Sequence, residues 1–126
     1  MKQVIATDRA PKAIGPYSQA TVAGGFVFCS GQGPLDPATG QLVEGGIALQ
    51  TERALENLKG VIEAGGSALE RVVKTTVFLK DLKDFRTMNE VYLRYFPASP
   101  PARTTVEAAR LPLDILVEID AIASLE

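Results

Sequence analysis

The sequence predicts an α+β domain, one mixed β-sheet with two helices on one face. Three observations lead there. Strand-like and helical stretches follow one another in the order β-β-β-α-β-α-β-β. Each helix is reached by a crossover from a strand, and such crossovers share a hand, so both helices land on the same sheet face. The 126 residues give room for one domain spanning 1–126, with no internal repeat, low-complexity segment or linker.

Val4-Ile5-Ala6 reads as a short first strand and Tyr17 to Val22 as a second. Gly24-Gly25 then turns the chain into the β-rich run Phe26 to Ser30, making a hairpin. Asp36-Pro37-Ala38-Thr39-Gly40 is a turn signal. A helix over 47–64 follows, because Ala54, Leu55, Leu58, Val61 and Ile62 form one apolar stripe. Gly65-Gly66 ends it as a left-handed C-cap would. Arg71 to Lys80 is β-branched and aromatic, hence a strand. Asp84 is placed to N-cap a second helix that ends before Pro97, with Phe85, Met88, Tyr92, Tyr95 and Phe96 as its stripe. Arg103 to Ala109 and Ile115 to Ser124 are the last two strands. The final strand has one fully apolar face, and a mixed face where Leu116 and Ile122 sit beside Glu118 and Asp120. A sheet covered by helices on one side only, with such a mixed face, points to packing against another copy of the chain.

Composition removes whole classes of chemistry. There is no histidine, which excludes Ser-His and Cys-His dyads and imidazole-ligated zinc. The single cysteine, Cys29, cannot pair within the chain and sits in an apolar strand, where a small buried hydrophobe is the expected role. A net charge of −2 with scattered charges offers no basic stripe for nucleic acid. Ala13 to Leu35 carries no charge, but its glycines, prolines and glutamines would strand polar groups in lipid, so no membrane span is expected. The N-terminus lacks an apolar signal core, and a cytoplasmic protein is the expectation. Gly31-Gln32-Gly33-Pro34-Leu35-Asp36 fails as a dinucleotide loop, because Asp36 stands where the third glycine belongs and a turn follows in place of a helix.

Two charges remain informative. Arg103 follows the rigid Pro100-Pro101 and offers a planar fork for a carboxylate or phosphate. Glu118 lies mid-strand between Val117 and Ile119. Partial burial there would raise its pKa and suit it to accept a proton from water. A structural ion pair between neighbouring strands fits the same two residues equally well. Asn89, beside the aromatic stripe, could orient a ligand or simply face solvent.

These residues fall in a recognisable pattern. Pro101-Ala102-Arg103-Thr104-Thr105-Val106-Glu107, Arg110-Leu111-Pro112 and Val117-Glu118-Ile119-Asp120-Ala121 resemble the C-terminal signature of the RidA (YjgF) family. Ala13-Ile14-Gly15-Pro16-Tyr17-Ser18-Gln19 and Ser30-Gly31-Gln32 resemble its N-terminal and central motifs, and the likeness runs through essentially the whole chain. The resemblance implies a chorismate-mutase-like homotrimer with a barrel-like core and sites in the clefts between subunits. It further implies hydrolysis of 2-imino acids (2-aminoacrylate, 2-iminopropanoate, 2-iminobutanoate) to 2-keto acids and ammonia, with no cofactor or metal. By position, Arg103 would clamp the substrate carboxylate and Glu118 would activate water. Tyr17, Ser30, Gly31, Asn89 and Thr105 would line the pocket, Gly31 and Thr105 largely through backbone. Thr104 is bulkier than the small residue expected after the arginine, and Thr105 stands where a cysteine is common; both bear on substrate preference. Competing readings are a carboxylate-binding sensor at the same arginine, an endoribonuclease and a purely structural trimer.

Overall fold

The computed structural model describes residues 1–126. Its elements are β1 (Gln3–Ile5), β2 (Ala20–Ala23), β3 (Phe26–Gln32), α1 (Ile47–Ala64), β4 (Val72–Leu79), α2 (Phe85–Tyr95), β5 (Ala102–Glu107) and β6 (Val117–Ser124). They form one six-stranded sheet in the order β1-β2-β3-β6-β4-β5. The β4–β5 pair is parallel and every other pair antiparallel, so the sheet is mixed as the sequence predicts. No helix is long and apolar enough to cross a membrane.

One face of the sheet is sealed by the helices. Val117, Ile119, Ala121 and Ala123 of β6 are buried, as are Val77 and Leu79 of β4 and Val27 and Cys29 of β3. Leu55, Leu58, Val61 and Ile62 of α1 and Met88, Val91 and Tyr92 of α2 complete a single cluster with them. Strand alternation therefore decides which residues meet the helices. The other face carries Glu118, Asp120, Ile122 and Ser124, with Phe26 and Phe28 opposite Ser124 and Ile122. Both phenylalanines stay substantially exposed there, at 39% and 42%.

Several boundaries differ from expectation, each for a local reason. β2 begins at Ala20, not Tyr17. Gln19 is buried and turned against the incoming loop, accepting from Thr7 N and donating to the carbonyls of Thr7, Ala10 and Pro11. β3 runs on to Gln32 through a register break against β6 between Cys29 and Gln32. At the end of α1, Gly65 stays right-handed, and Gly66 takes the positive φ of 93°. Ser67 N donates to Ile62 O and Gly66 N to Glu63 O, the paired bonds of a Schellman cap. Asp84 stands at the N-cap of α2 but makes no side-chain capping bond; Asp81, one turn earlier, accepts from Lys83 N instead. Phe85 of the predicted stripe is exposed, and Val91 takes a core place. β5 ends at Glu107 and β6 begins at Val117, both shorter than their apolar runs.

Candidate active site

Arg103 is the second residue of β5, at the sheet edge. It pairs in register with Thr75 of β4, so it lies on the helix-covered face. Its guanidinium carbon stands 4.7 Å from the ring centroid of Tyr92 and 5.6 Å from that of Phe85, both on α2. Stacking on a ring face holds a guanidinium plane without consuming its N–H donors. The Tyr92 hydroxyl is itself fixed 2.7 Å from Thr75 Oγ1. Burial pushes the Tyr92 phenol up, against the lowering effects of the Thr75 bond and the Arg103 charge, so the ring stays neutral. The four ion pairs of the chain lie elsewhere, and the Arg103 fork is left without a carboxylate. It opens into a cleft of about 540 Å³ shared with Asn89, Leu93, Pro100 and Pro101. Thr105 follows on the same face, opposite Val77. Asn89 Oδ1 and Thr105 Oγ1 are both buried with no hydrogen-bond partner.

Glu118 occupies the opposite face. It pairs with Phe78 of β4 and alternates with the buried Val117 and Ile119. Burial raises its pKa, and the neighbouring Asp120 carboxylate raises it further. Asp120 is held two residues along by the Thr76 N–H at 3.0 Å. No cation pairs with Glu118, so the ion-pair alternative finds no partner within the chain. Gly31 sits against it where β3 breaks register. A Cβ built on Gly31 would overlap Glu118 Oε2 and lie 2.8 Å from Cδ, so only glycine lets the carboxylate close on this backbone. Tyr17, Gly31, Gln32, Ile115 and Glu118 share a cavity of about 150 Å³. The Tyr17 ring stands 52% exposed at its mouth. Ser30, expected to line the pocket, bonds within the chain to the segment that carries Tyr17. Its hydroxyl donates to Ser18 O at 2.6 Å and its N–H to Gln19 O, tying the Tyr17 segment to β3.

The candidate residues of one chain fall into two groups. Tyr17, Gly31 and Glu118 lie together, as do Asn89, Arg103 and Thr105 in the other half. Arg103 and Glu118 are not brought together. They stand two strands and three residues apart, roughly 14 Å from strand spacing and rise, on opposite faces of the sheet. Cys29 belongs to neither half. It is buried, and burial followed by the Asp120 charge pushes its thiol up to about 12, which makes it inert.

Sequence reasoning missed the buried amides that hold these halves. Gln19 ties down the loop before Tyr17, and Gln50 and Asn57 of α1 reach across to the backbone near Glu118 and Gly31. Their only signal was position: Asn57 lies between the apolar stripe residues Ala54 and Leu58, and Gln50 four residues before Ala54.

A family model described as Endoribonuclease L-PSP matches residues 7–125. The chain belongs to that family. A RutC family protein of Pyrococcus horikoshii is 58% identical over 98% of this chain and 98% of its own length. Among L-PSP relatives, a mouse protein named 2-iminobutanoate/2-iminopropanoate deaminase is 49% identical, covering 98% of this chain and 91% of its own. The crystal structure of E. coli TdcF with bound serine superposes with a TM-score of 0.92 at 45% identity, over 97% of this chain and 98% of that one. The L-PSP fold is thereby shown for this chain, as is its place in the RidA (YjgF) group to which deaminase-named relatives belong.

Proposed function

We propose that this protein hydrolyses small 2-imino acids to 2-keto acids and ammonia, at sites shared between subunits of a homotrimer. One observation carries the reading. Arg103 and Glu118 are both left without a charge partner, on opposite faces of one sheet. A second copy seated on the exposed Phe26–Phe28 face can bring the Glu118 half of one chain to the Arg103 half of another. The deaminase name of the mouse relative supports the activity. Serine bound to TdcF, an α-carboxylate beside an amino-bearing carbon, supports the ligand class.

The chemistry asks little of the protein. A protonated imine is already electrophilic at C2. Arg103, stacked on Tyr92, holds the carboxylate through its fork. The Gly31 and Thr105 backbones flank the reacting carbon, with Tyr17 and Asn89 beside them. Glu118 takes a proton from water as the oxygen adds to C2, giving a carbinolamine. That proton passes to nitrogen, and the C–N bond breaks as Glu118 takes the carbinol hydroxyl proton. The departing ammonia carries that proton off as ammonium, leaving the 2-keto acid and an ionised Glu118. A raised pKa suits a carboxylate to both transfers. Positioned proton transfer contributes ~10²–10⁴-fold, ample for a substrate that hydrolyses unaided.

The test couples a threonine dehydratase to this protein and follows the rate of 2-oxobutanoate formation. Faster release with protein present is the expected result; no acceleration removes the proposal. Light scattering should give about three times the 13.4 kDa chain mass. A stable monomer at micromolar concentration would leave the half-sites apart. A carboxylate-binding sensor predicts binding of 2-keto acids and no acceleration.

A further inference from the structure

The bond network of α1 reaches the Glu118 half-site from behind. Asn57 is fully buried, at 0% exposure. Its Nδ2 donates to Gly33 O at 3.0 Å and to Leu35 O at 2.8 Å. Its Oδ1 accepts from Arg53 Nε at 3.2 Å and from Arg53 Nη2 at 2.9 Å. Every hydrogen-bonding position of the amide is filled. Arginine only donates, so the oxygen must face Arg53 and the NH₂ must face the two carbonyls.

Those carbonyls belong to the segment that carries Gly31. The β3–β6 ladder breaks between Cys29 and Gln32, so Gly31 has no register partner on β6. On one side, Ser30 ties the break to the Ser18–Gln19 backbone. On the other, Asn57 supplies the side-chain anchor at Gly33 and Leu35. Gly31 approaches Glu118 so closely that even a Cβ would not fit. A buried amide that sets the loop therefore sets the gap between the Gly31 backbone and the Glu118 carboxylate. From the same helix face, two turns earlier, Gln50 accepts from Leu116 N at 2.9 Å and steadies the entry to β6.

We propose that Asn57, locked by Arg53, is a positioning residue for the deaminase reaction: it holds the Gly33–Leu35 carbonyls and thereby aligns Gly31 with Glu118. The inference rests on the deaminase reading above. Asn57 touches neither substrate nor reacting atoms. Its contribution lies in geometry, where displacement of about 1 Å costs up to ~10²-fold in rate.

The experiment compares Asn57→Asp and Arg53→Ala with the wild type in the coupled dehydratase assay, alongside calorimetric binding of 2-oxobutanoate. Asn57→Asp keeps the acceptor for Arg53 and loses both donors to the loop. It should lower kcat roughly ten- to hundredfold while leaving KM and 2-oxobutanoate affinity close to wild type, because the Arg103 clamp lies on the other half-site. Arg53→Ala changes only a partly exposed side chain and frees the amide to turn; it should lower kcat in the same sense by a smaller factor, with folding intact. A merely structural role predicts lower thermal stability with kcat per folded protein unchanged, and that result in both variants would overturn the proposal. If Asn57→Asp fails to fold, wild-type kcat in Arg53→Ala overturns it alone. The deaminase reading stands or falls separately, on whether the wild-type protein accelerates 2-oxobutanoate release at all.

Discussion

Replacing Glu118 by Gln should make the protein no less stable at neutral pH and catalytically almost inert. The side chains are nearly isosteric, so packing between Val117 and Ile119 is preserved. The ionised carboxylate is disfavoured where it stands, first by burial and then by the Asp120 charge. Its folded-state pKa therefore lies above the unfolded value of 4.5. Between those two values the folded state binds more protons than the unfolded one, so this group's contribution to stability falls as pH rises through that window. Above the folded pKa the full penalty of the buried charge is in force. Glutamine never pays it, so the variant loses this segment of the pH–stability profile and matches or exceeds wild type at pH 7. Glutamine can still hold a water but accepts no proton. Loss of a positioned general base should lower kcat by ~10²–10⁴-fold, with binding of 2-oxobutanoate retained. Denaturant melts at pH 4 and pH 7, beside the coupled dehydratase assay, measure both sides. Full turnover in the variant would place the base elsewhere. Destabilisation by more than about 1 kcal/mol at pH 7, of the size that follows loss of a hydrogen-bonded charge, would mean that the ionised carboxylate is stabilised where it stands and would refute the argument.

Three other substitutions test the rest of the site. Arg103→Lys keeps the charge and the carbon stem but loses the fork and its stacking on Tyr92; losing one charge-assisted bond, about 1.5–3 kcal/mol, should weaken 2-oxobutanoate binding roughly ten- to hundredfold by calorimetry, and unchanged affinity would show the clamp misassigned. Gly31→Ala forces Glu118 into another rotamer, at about 0.5–1.5 kcal/mol of stability, yet should lower kcat by ~10²-fold because the carboxylate moves; a wild-type kcat with normal folding would mean that close approach is incidental. Cys29→Ala should retain deamination and resist alkylating agents, at a stability cost of about 1 kcal/mol for the small void. Loss of all activity in a normally folded Cys29→Ala protein would overturn the mechanism.

Much of the architecture was legible in the sequence. The α1 boundaries followed from one apolar stripe, and the split of β6 into a buried and a mixed face followed from alternation alone. Both are periodic signals, set within a few residues of one another. The family motifs marked Arg103 and Glu118 as residues of interest, and absence of histidine narrowed what they could do. Strand ends were less legible. Apolar runs continue past the last paired residue, and the sequence of β2 says nothing of Gln19 turning away to hold the preceding loop.

What the sequence by itself determined is the set of elements, the face each strand turns to the helices, and the roster of side chains available for chemistry. Only the tertiary structure decided how that roster is divided. Parallel pairing of β4 with β5 puts Arg103 in register with Thr75, on the helix side, and antiparallel pairing of β4 with β6 puts Glu118 opposite Phe78, on the other. Register is a property of pairs of distant segments. A slip of one residue in either ladder would move one of the two charges to the opposite face. The same holds for Asn57, whose partners at Gly33 and Leu35 lie 24 and 22 residues away. Periodicity reads one segment at a time; the separation of the two half-sites and the amide behind Gly31 arise where segments far apart in sequence meet.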